Sequence, residues 1–122
     1  LSRGMQQKVA IARSFLTSPN LMLLDEPTTG LDPRAKKEVQ AFIRGVRDNH
    51  DSTILLTTHD MAEAEVLCDR IAILAEGKIV AMGTCEELKA SIRTGDEKLD
   101  MEETFMRITG KRIEEHEIEK DD

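Results

Sequence analysis

A chain of 122 residues with a formal charge of −7 and 39% apolar residues has material for one domain and a modest core. Its acidity and the lack of any Lys/Arg cluster argue against a nucleic-acid surface, and apolar runs such as Leu21–Leu24 and Ile71–Ala75 are far too short to span a membrane. The two cysteines, Cys68 and Cys85, show neither CxxC spacing nor a metal-ligand pattern with the three histidines, and read as reduced thiols.

In chain order, Met5, Val9, Ala12 and Leu16 recur at helical spacing and predict an amphipathic helix over residues 4–17, with that face toward a sheet and Ser2 at its mouth. The run Leu21-Met22-Leu23-Leu24, bounded by Pro19-Asn20 and Pro27, predicts a strand covered on both faces, the kind that parallel sheets contain. Asp25 and Glu26 fall at its carboxyl end, the edge where open α/β sheets bind ligands. Asp32-Pro33 reads as an N-cap followed by proline at the first helical position, with Val39, Phe42, Ile43 and Val46 forming the buried face of that helix. Thr53 to Thr57 is the next strand. Asp60 and Glu63 then have the spacing of a capping box that opens a third helix, with Ala64, Leu67 and Cys68 inward.

Arg70 to Leu74 predicts a further strand, and Ala75-Glu76-Gly77 is too short for a crossover, so Lys78 to Met82 should return antiparallel. Thr84-Cys85-Glu86-Glu87 has capping-box spacing and leads a short helix through Leu88 and Ile92. Residues 93–99 read as a linker, and residues 100–109 as a small helix with Gly110 as its stop. Residues 111–122 are mostly charged and are expected to be disordered. Strands alternating with single helices imply an α/β fold with a parallel sheet flanked by helices and ending in an antiparallel hairpin.

Four stretches carry the chemistry: Leu1-Ser2-Arg3-Gly4-Met5-Gln6-Gln7, the strand into Asp25-Glu26, Thr29-Gly30-Leu31-Asp32, and Thr57-Thr58-His59-Asp60. In this order and spacing they resemble the ABC ATPase family: a signature segment of the LSGGQ type, a Walker B strand, a D-loop and a switch histidine. The resemblance covers residues 1 to about 92 and implies a partial P-loop NTPase-type sheet. No G-x-x-x-x-G-K-[ST] segment is present, since the Gly-Lys pairs occur only in Gly77-Lys78-Ile79 and Gly110-Lys111-Arg112. The expectation is therefore the C-terminal half of such a domain over residues 1–92, a linker and small helix over 93–110, and a charged tail over 111–122.

The resemblance also implies roles. Phosphoryl transfer is mostly positioning and charge neutralisation, and Asp25 resembles the aspartate that holds Mg²⁺, an ion that keeps several waters and takes few carboxylates. Glu26 resembles the catalytic base and His59 the histidine that contacts the γ-phosphate of ATP. Ser2 and Gly4 stand where unpaired N–H groups and the helix dipole favour an anion, and in the family this segment meets nucleotide held by the opposite subunit. Arg3 and Met5 depart from LSGGQ, replacing glycine and glutamine, and are counted with the nucleotide-contacting group. Asp32 resembles the D-loop aspartate at the dimer interface, a role compatible with capping a helix.

Three functions compete. The first is an ATP-hydrolysing subunit of a membrane transporter, which implies a head-to-tail dimer with a second ATPase subunit and a separately encoded permease. It also implies a cytoplasmic, peripheral location on the membrane and no nucleic-acid partner. The segment Met101-Glu102-Glu103-Thr104-Phe105-Met106-Arg107-Ile108-Thr109-Gly110 resembles the tail of ATPases paired with exporter permeases. The second is a soluble ABC ATPase acting in translation or DNA repair, for which a basic surface or a long coiled-coil insertion would speak. The third is a non-catalytic α/β module, which the missing phosphate loop favours for this stretch in isolation and Glu26 and His59 oppose.

Overall fold

The computed structural model describes residues 2–121, so Leu1 lies outside the described residues. The chain divides into two compact units, Leu1–His59 and Asp60–Asp122.

In the first unit, α1 (Arg3–Ser14) leads to β1 (Leu21–Asp25), and α2 (Pro33–Asn49) connects it to β2 (Thr53–Thr57). The two strands pair parallel, from Leu21 opposite Thr53 to Asp25 opposite Thr57. A parallel pair needs a long crossover, and α2 supplies it. Its start is set as the sequence predicts: Asp32 caps the helix by accepting the Ala35 N–H at 2.8 Å, and Pro33 occupies the first turn. The N-terminal end of the ladder is tied by the Thr53 N–H to Asn20 O at 2.8 Å and by the Ser52 hydroxyl donating to Pro19 O.

Packing here differs from the periodicity-based expectation in two places. Met22 and Leu24 are buried, whereas Leu21 and Leu23 are 57% and 68% exposed, so β1 is covered on one face and not on both. In α1 the buried positions are Gly4 and Ile11, with Gln7, Lys8 and Phe15 half-buried along the same face. Met5, Val9 and Leu16 point outward. The reason is the neighbour: α1 packs on α2, where Gly4 meets Ala35 and Lys8 pairs with Glu38 at 3.7 Å. The apolar stripe of the helix lies off that contact line and is left uncovered by the described residues.

The second unit holds α3 (Met61–Leu67), β3 (Ile71–Ala75), β4 (Lys78–Gly83), α4 (Cys85–Ile92) and α5 (Met101–Asp121). Strands β3 and β4 form the expected antiparallel hairpin, with Ala75 opposite Lys78. Its two loop residues, Glu76 and Gly77, have φ of 52° and 76°, both in the left-handed region that a tight hairpin turn requires. Val80 is the extra residue of a bulge, because Ile73 faces Ala81 while Leu74 faces Ile79. The core gathers Ala64, Ile71, Ile73, Leu88 and Met101, with Cys68, Cys85 and Phe105 packed against it. Partial burial and the nearby Glu65 carboxylate push the Cys85 thiol pKa up, which favours the thiol over the thiolate. Thr84 and Glu87 make the full capping box at the start of α4.

Helix α5 corrects two expectations. Gly110 lies inside it, and the helix continues through Asp121 where disorder was expected. Beyond Gly110 the sequence holds mostly Lys, Arg, Glu and Ile and no further glycine or proline, so single-residue propensity permits the extension. The start of α5 is fixed to the preceding linker. Arg107 donates two bonds to the Glu97 carboxylate, at 2.7 and 2.8 Å, and a third to Glu103 at 3.0 Å. Thr94 closes the cluster through its N–H and hydroxyl on Glu97 at 2.8 and 2.6 Å.

Two predictions follow from this packing. Expressed alone, the 122-residue polypeptide should self-associate through the uncovered leucines and the free edges of the β1–β2 pair, and sedimentation velocity showing a single monomeric species across a wide concentration range would count against it. The second concerns pH. The Arg107 and Thr94 bonds hold the Glu97 carboxyl well below the usual carboxylate range, so its stabilisation is present above the unfolded value and is lost only as pH falls through the lowered one. Solvent reaches the pair, which keeps the effect modest. Amide exchange at Met101–Thr104 should stay protected from pH ~6 to ~3, and Arg107→Gln should bring deprotection back into the ordinary carboxylate range. Deprotection of the native chain within that range would refute the assignment.

Candidate functional site

The parallel register decides where the chemistry-bearing residues meet. Because Asp25 lies directly opposite Thr57, the last residues of the two strands share one edge. The Thr57 hydroxyl donates to Asp25 Oδ1, and the Thr57 Oγ1 in turn accepts the Glu26 N–H at 3.1 Å. The Glu26 N–H also reaches Thr57 O at 2.9 Å. Thr57 thus links both acidic residues to the end of β2.

Glu26 itself has φ of 45°, a left-handed conformation uncommon for a residue other than glycine. It turns the chain out of the ladder, and the turn is closed by Thr29 N–H to Glu26 O and Leu31 N–H to Thr28 O, each at 3.2 Å. Pro27 and Thr28 are buried beneath it. The reversal sends the Glu26 carboxylate to His59, whose Nδ1 lies 2.7 Å from Oε1. Both side chains remain open to solvent, at 44% and 72% exposure. Asp25, Glu26 and His59, which are scattered over 35 positions of sequence, therefore stand together at the carboxyl edge of the strand pair.

The remaining candidates gather around the N-terminal ends of α1 and α2. Ser2 is the N-cap of α1, its Oγ accepting the Met5 N–H at 3.1 Å. Arg3 is the first helical residue, and its Nη1 lies 3.5 Å from where a β-carbon on Gly30 would stand. Gly4 is buried against Ala35, Met5 is half exposed, and Asp32 caps α2. Gly30, at φ of 81°, belongs to the turn that delivers Asp32. The segment of Ser2, Arg3 and Gly4 and the turn of Gly30 and Asp32 thus adjoin within one chain.

Thr57 is the residue of this edge to which the sequence reading gave no role of its own. Its signal was available: Asp25 and Thr57 each follow a run of equal register, so pairing the two strands end to end puts the hydroxyl on the carboxylate.

A divalent ion fits this edge in a limited way. Among the described residues no three His, Cys, Asp or Glu side chains cluster as a metal cage. Asp25 offers one exposed carboxylate steadied by a hydroxyl, and Mg²⁺ needs no more from protein when waters and phosphates complete its shell.

The ABC transporter family model matches residues 1–29. The daunorubicin/doxorubicin resistance ATP-binding protein DrrA of Streptomyces peucetius is 40% identical over 112 residues, which is 92% of this chain and 34% of that protein. The chain belongs to the ABC transporter ATP-binding family. Among solved structures, the ATP-binding subunit of an ABC transporter superposes with a TM-score of 0.71 and 35% identity over 89% of this chain and 44% of that one. A dimeric ATP-binding cassette in a post-hydrolysis state, bound to ADP and Pi, gives 0.58 and 31% over 69% and 36% respectively. The chain spans about a third of the length of its DrrA relative. The neighbours place its mixed α/β architecture among P-loop ABC ATPase domains.

If Thr57 organises the edge, Thr57→Val in the intact gene product should misplace both carboxylates without emptying the core. Turnover of ATP should fall by about tenfold or more, with the melting temperature nearly unchanged because the strand position is exposed. Turnover equal to that of the native protein would remove Thr57 from the site.

Proposed function

We propose that this chain contributes the hydrolytic edge and the signature edge of an ABC-type ATPase subunit that energises a membrane transporter, with ATP as substrate and Mg²⁺ as its ion. The observation that carries the reading is the 2.7 Å contact between Glu26 and His59 beside Asp25, at the carboxyl end of a parallel pair. In this reading the Glu26 carboxylate accepts a hydrogen bond from the attacking water and draws off its proton as the oxygen adds to the γ-phosphorus, while the bond from that phosphorus to the β–γ bridging oxygen breaks and ADP leaves with the bridging oxygen. His59, held on Glu26, keeps that carboxylate aimed and directs its other ring nitrogen to the phosphate. Asp25 holds the ion, which when bound neutralises phosphate charge. A positioned base contributes roughly 10²–10⁴-fold, enough to separate hydrolysis from binding alone.

The phosphate-cradling loop is not among these 122 residues. Affinity for the rest of the nucleotide therefore has to come from other sequence. Ser2, Arg3, Gly4, Met5 and Asp32 are read as acting on nucleotide held by a second ATPase subunit, in a two-fold head-to-tail dimer with two composite sites. The dimeric cassette bound to ADP and Pi supports the coarser part of this reading, that such subunits pair. A separately encoded permease is the proposed membrane partner, and a cytoplasmic, peripheral position follows from it. Among the described residues no helix is long and apolar enough to cross a membrane. Export is favoured over import by the drug-resistance name of the DrrA relative and by the resemblance of Met101–Gly110 to exporter-paired tails. The organisation into residues 1–92 with the catalytic motifs and residues 93–110 as an appended segment belongs to the same proposal. Nothing in the structure favours a soluble ATPase of translation or repair.

The test is a pair of substitutions in the intact gene product. Glu26→Gln should keep nucleotide binding and lower turnover by at least about 10²-fold, whereas Asp25→Asn should weaken the Mg²⁺-dependent part of binding. Near-normal turnover in Glu26→Gln would show that another group activates the water.

A further inference from the structure

The start of α1 and the turn before α2 are joined through Ala35, a residue to which the proposed chemistry gives no role. Gly4 is buried, and a β-carbon placed on it would lie 3.2 Å from Ala35 Cβ and 3.8 Å from Ala35 Cα. Carbon atoms in contact prefer about 3.5–4.0 Å, so a side chain at position 4 would be crowded by Ala35. Ala35 is in turn tied to Asp32, both by its own N–H on Oδ1 at 2.8 Å and through the next residue, whose N–H bonds Asp32 O at 2.8 Å. The Arg3 guanidinium against Gly30 and the Lys8–Glu38 pair mark the same contact line on either side.

We infer that Ala35 is a positioning residue: by meeting Gly4 it sets the distance between the Ser2 segment and the Asp32 turn, so that both are presented to nucleotide as one edge. This rests on the reading above that the two segments face nucleotide. The physical argument is one of transmission. Ala35 cannot yield without loosening the cap on Asp32, so any added bulk at position 4 moves the mouth of α1 instead. Donors to a phosphate act over about 2.7–3.2 Å, and a displacement of ~1 Å can cost ~10²-fold in rate. A shift of a few tenths of an ångström is therefore felt in turnover.

Because Gly4 also stands in the nucleotide-facing group, a second reason for glycine there is that no side chain fits beside the ligand. A substitution cycle separates the two. In the intact gene product, Gly4→Ala should lower kcat about tenfold while KM for ATP changes less than about threefold, because affinity comes from elsewhere. In an Ala35→Gly background the same Gly4→Ala change should lower kcat less than about threefold, since the added methyl now has room. Equal losses in both backgrounds would overturn the inference. Melting supplies a readout that does not depend on hydrolysis. Replacing a helical glycine by alanine ordinarily stabilises, so Gly4→Ala should raise the melting temperature in the Ala35→Gly background and lower it opposite the native Ala35. The same sign in both backgrounds would show that the contact is not limiting. If the unsubstituted protein failed to hydrolyse ATP, the proposed function would fall, while the melting cycle would still decide whether Ala35 sets the spacing.

Discussion

The register between β1 and β2 is the constraint on which the site depends. Side chains alternate with a period of two along a strand, so a slip of a single residue would put Asp25 and Thr57 on opposite faces. Three features hold the register. Backbone and hydroxyl bonds from Thr53 and Ser52 fix one end, the Glu26 N–H fixes the other, and Met22 and Leu24 bury only in this alignment. The acidic edge is thus assembled by ordinary ladder pairing, and the site needs no dedicated scaffold of its own.

The two groups of candidate residues have opposite electrostatic character. At the carboxyl edge of the strands two carboxylates stand together, and they repel a phosphate unless a cation or a proton donor comes between. At the mouths of α1 and α2 the exposed chemistry is N–H groups, the positive ends of helix dipoles and the Arg3 guanidinium, all of which attract it. Asp32 is the acidic exception at these mouths, with one carboxylate oxygen accepting the Ala35 N–H. In the proposed function each edge takes a different side of one triphosphate, as a site composed of two subunits would need.

Much of this was legible in the sequence, and the parts that were not share a cause. Caps and turns are written in few residues acting locally, so Asp32-Pro33, Thr84 with Glu87, and Glu76-Gly77 all formed where their chemistry said they would. Glu26 and His59 were named through the family resemblance, and the parallel pairing of their strands brings them together. Burial was harder. The stripe of Met5, Val9 and Leu16 states which face of α1 is apolar, but periodicity does not name the neighbour, and the helix lies on α2 through Gly4 and Ile11 instead. Leu23 and Leu55 likewise sit opposite each other on an uncovered face. Contacts between small residues, such as Gly4 with Ala35, leave no trace in hydropathy. The extension of α5 past Gly110 was missed because one glycine was weighed as a stop while the helix-favouring residues beyond it were read as mere charge.

The backbone of Glu26 has a consequence for how this position can change over generations. At φ of 45° a glycine or asparagine would sit there more comfortably than any residue with a longer side chain. Substitutions that relax the fold at this point are thus the ones that delete the carboxylate. Lineages that no longer need the carboxylate should drift toward the small residue first, gaining stability as they lose it, whereas those that keep it bear the local strain indefinitely.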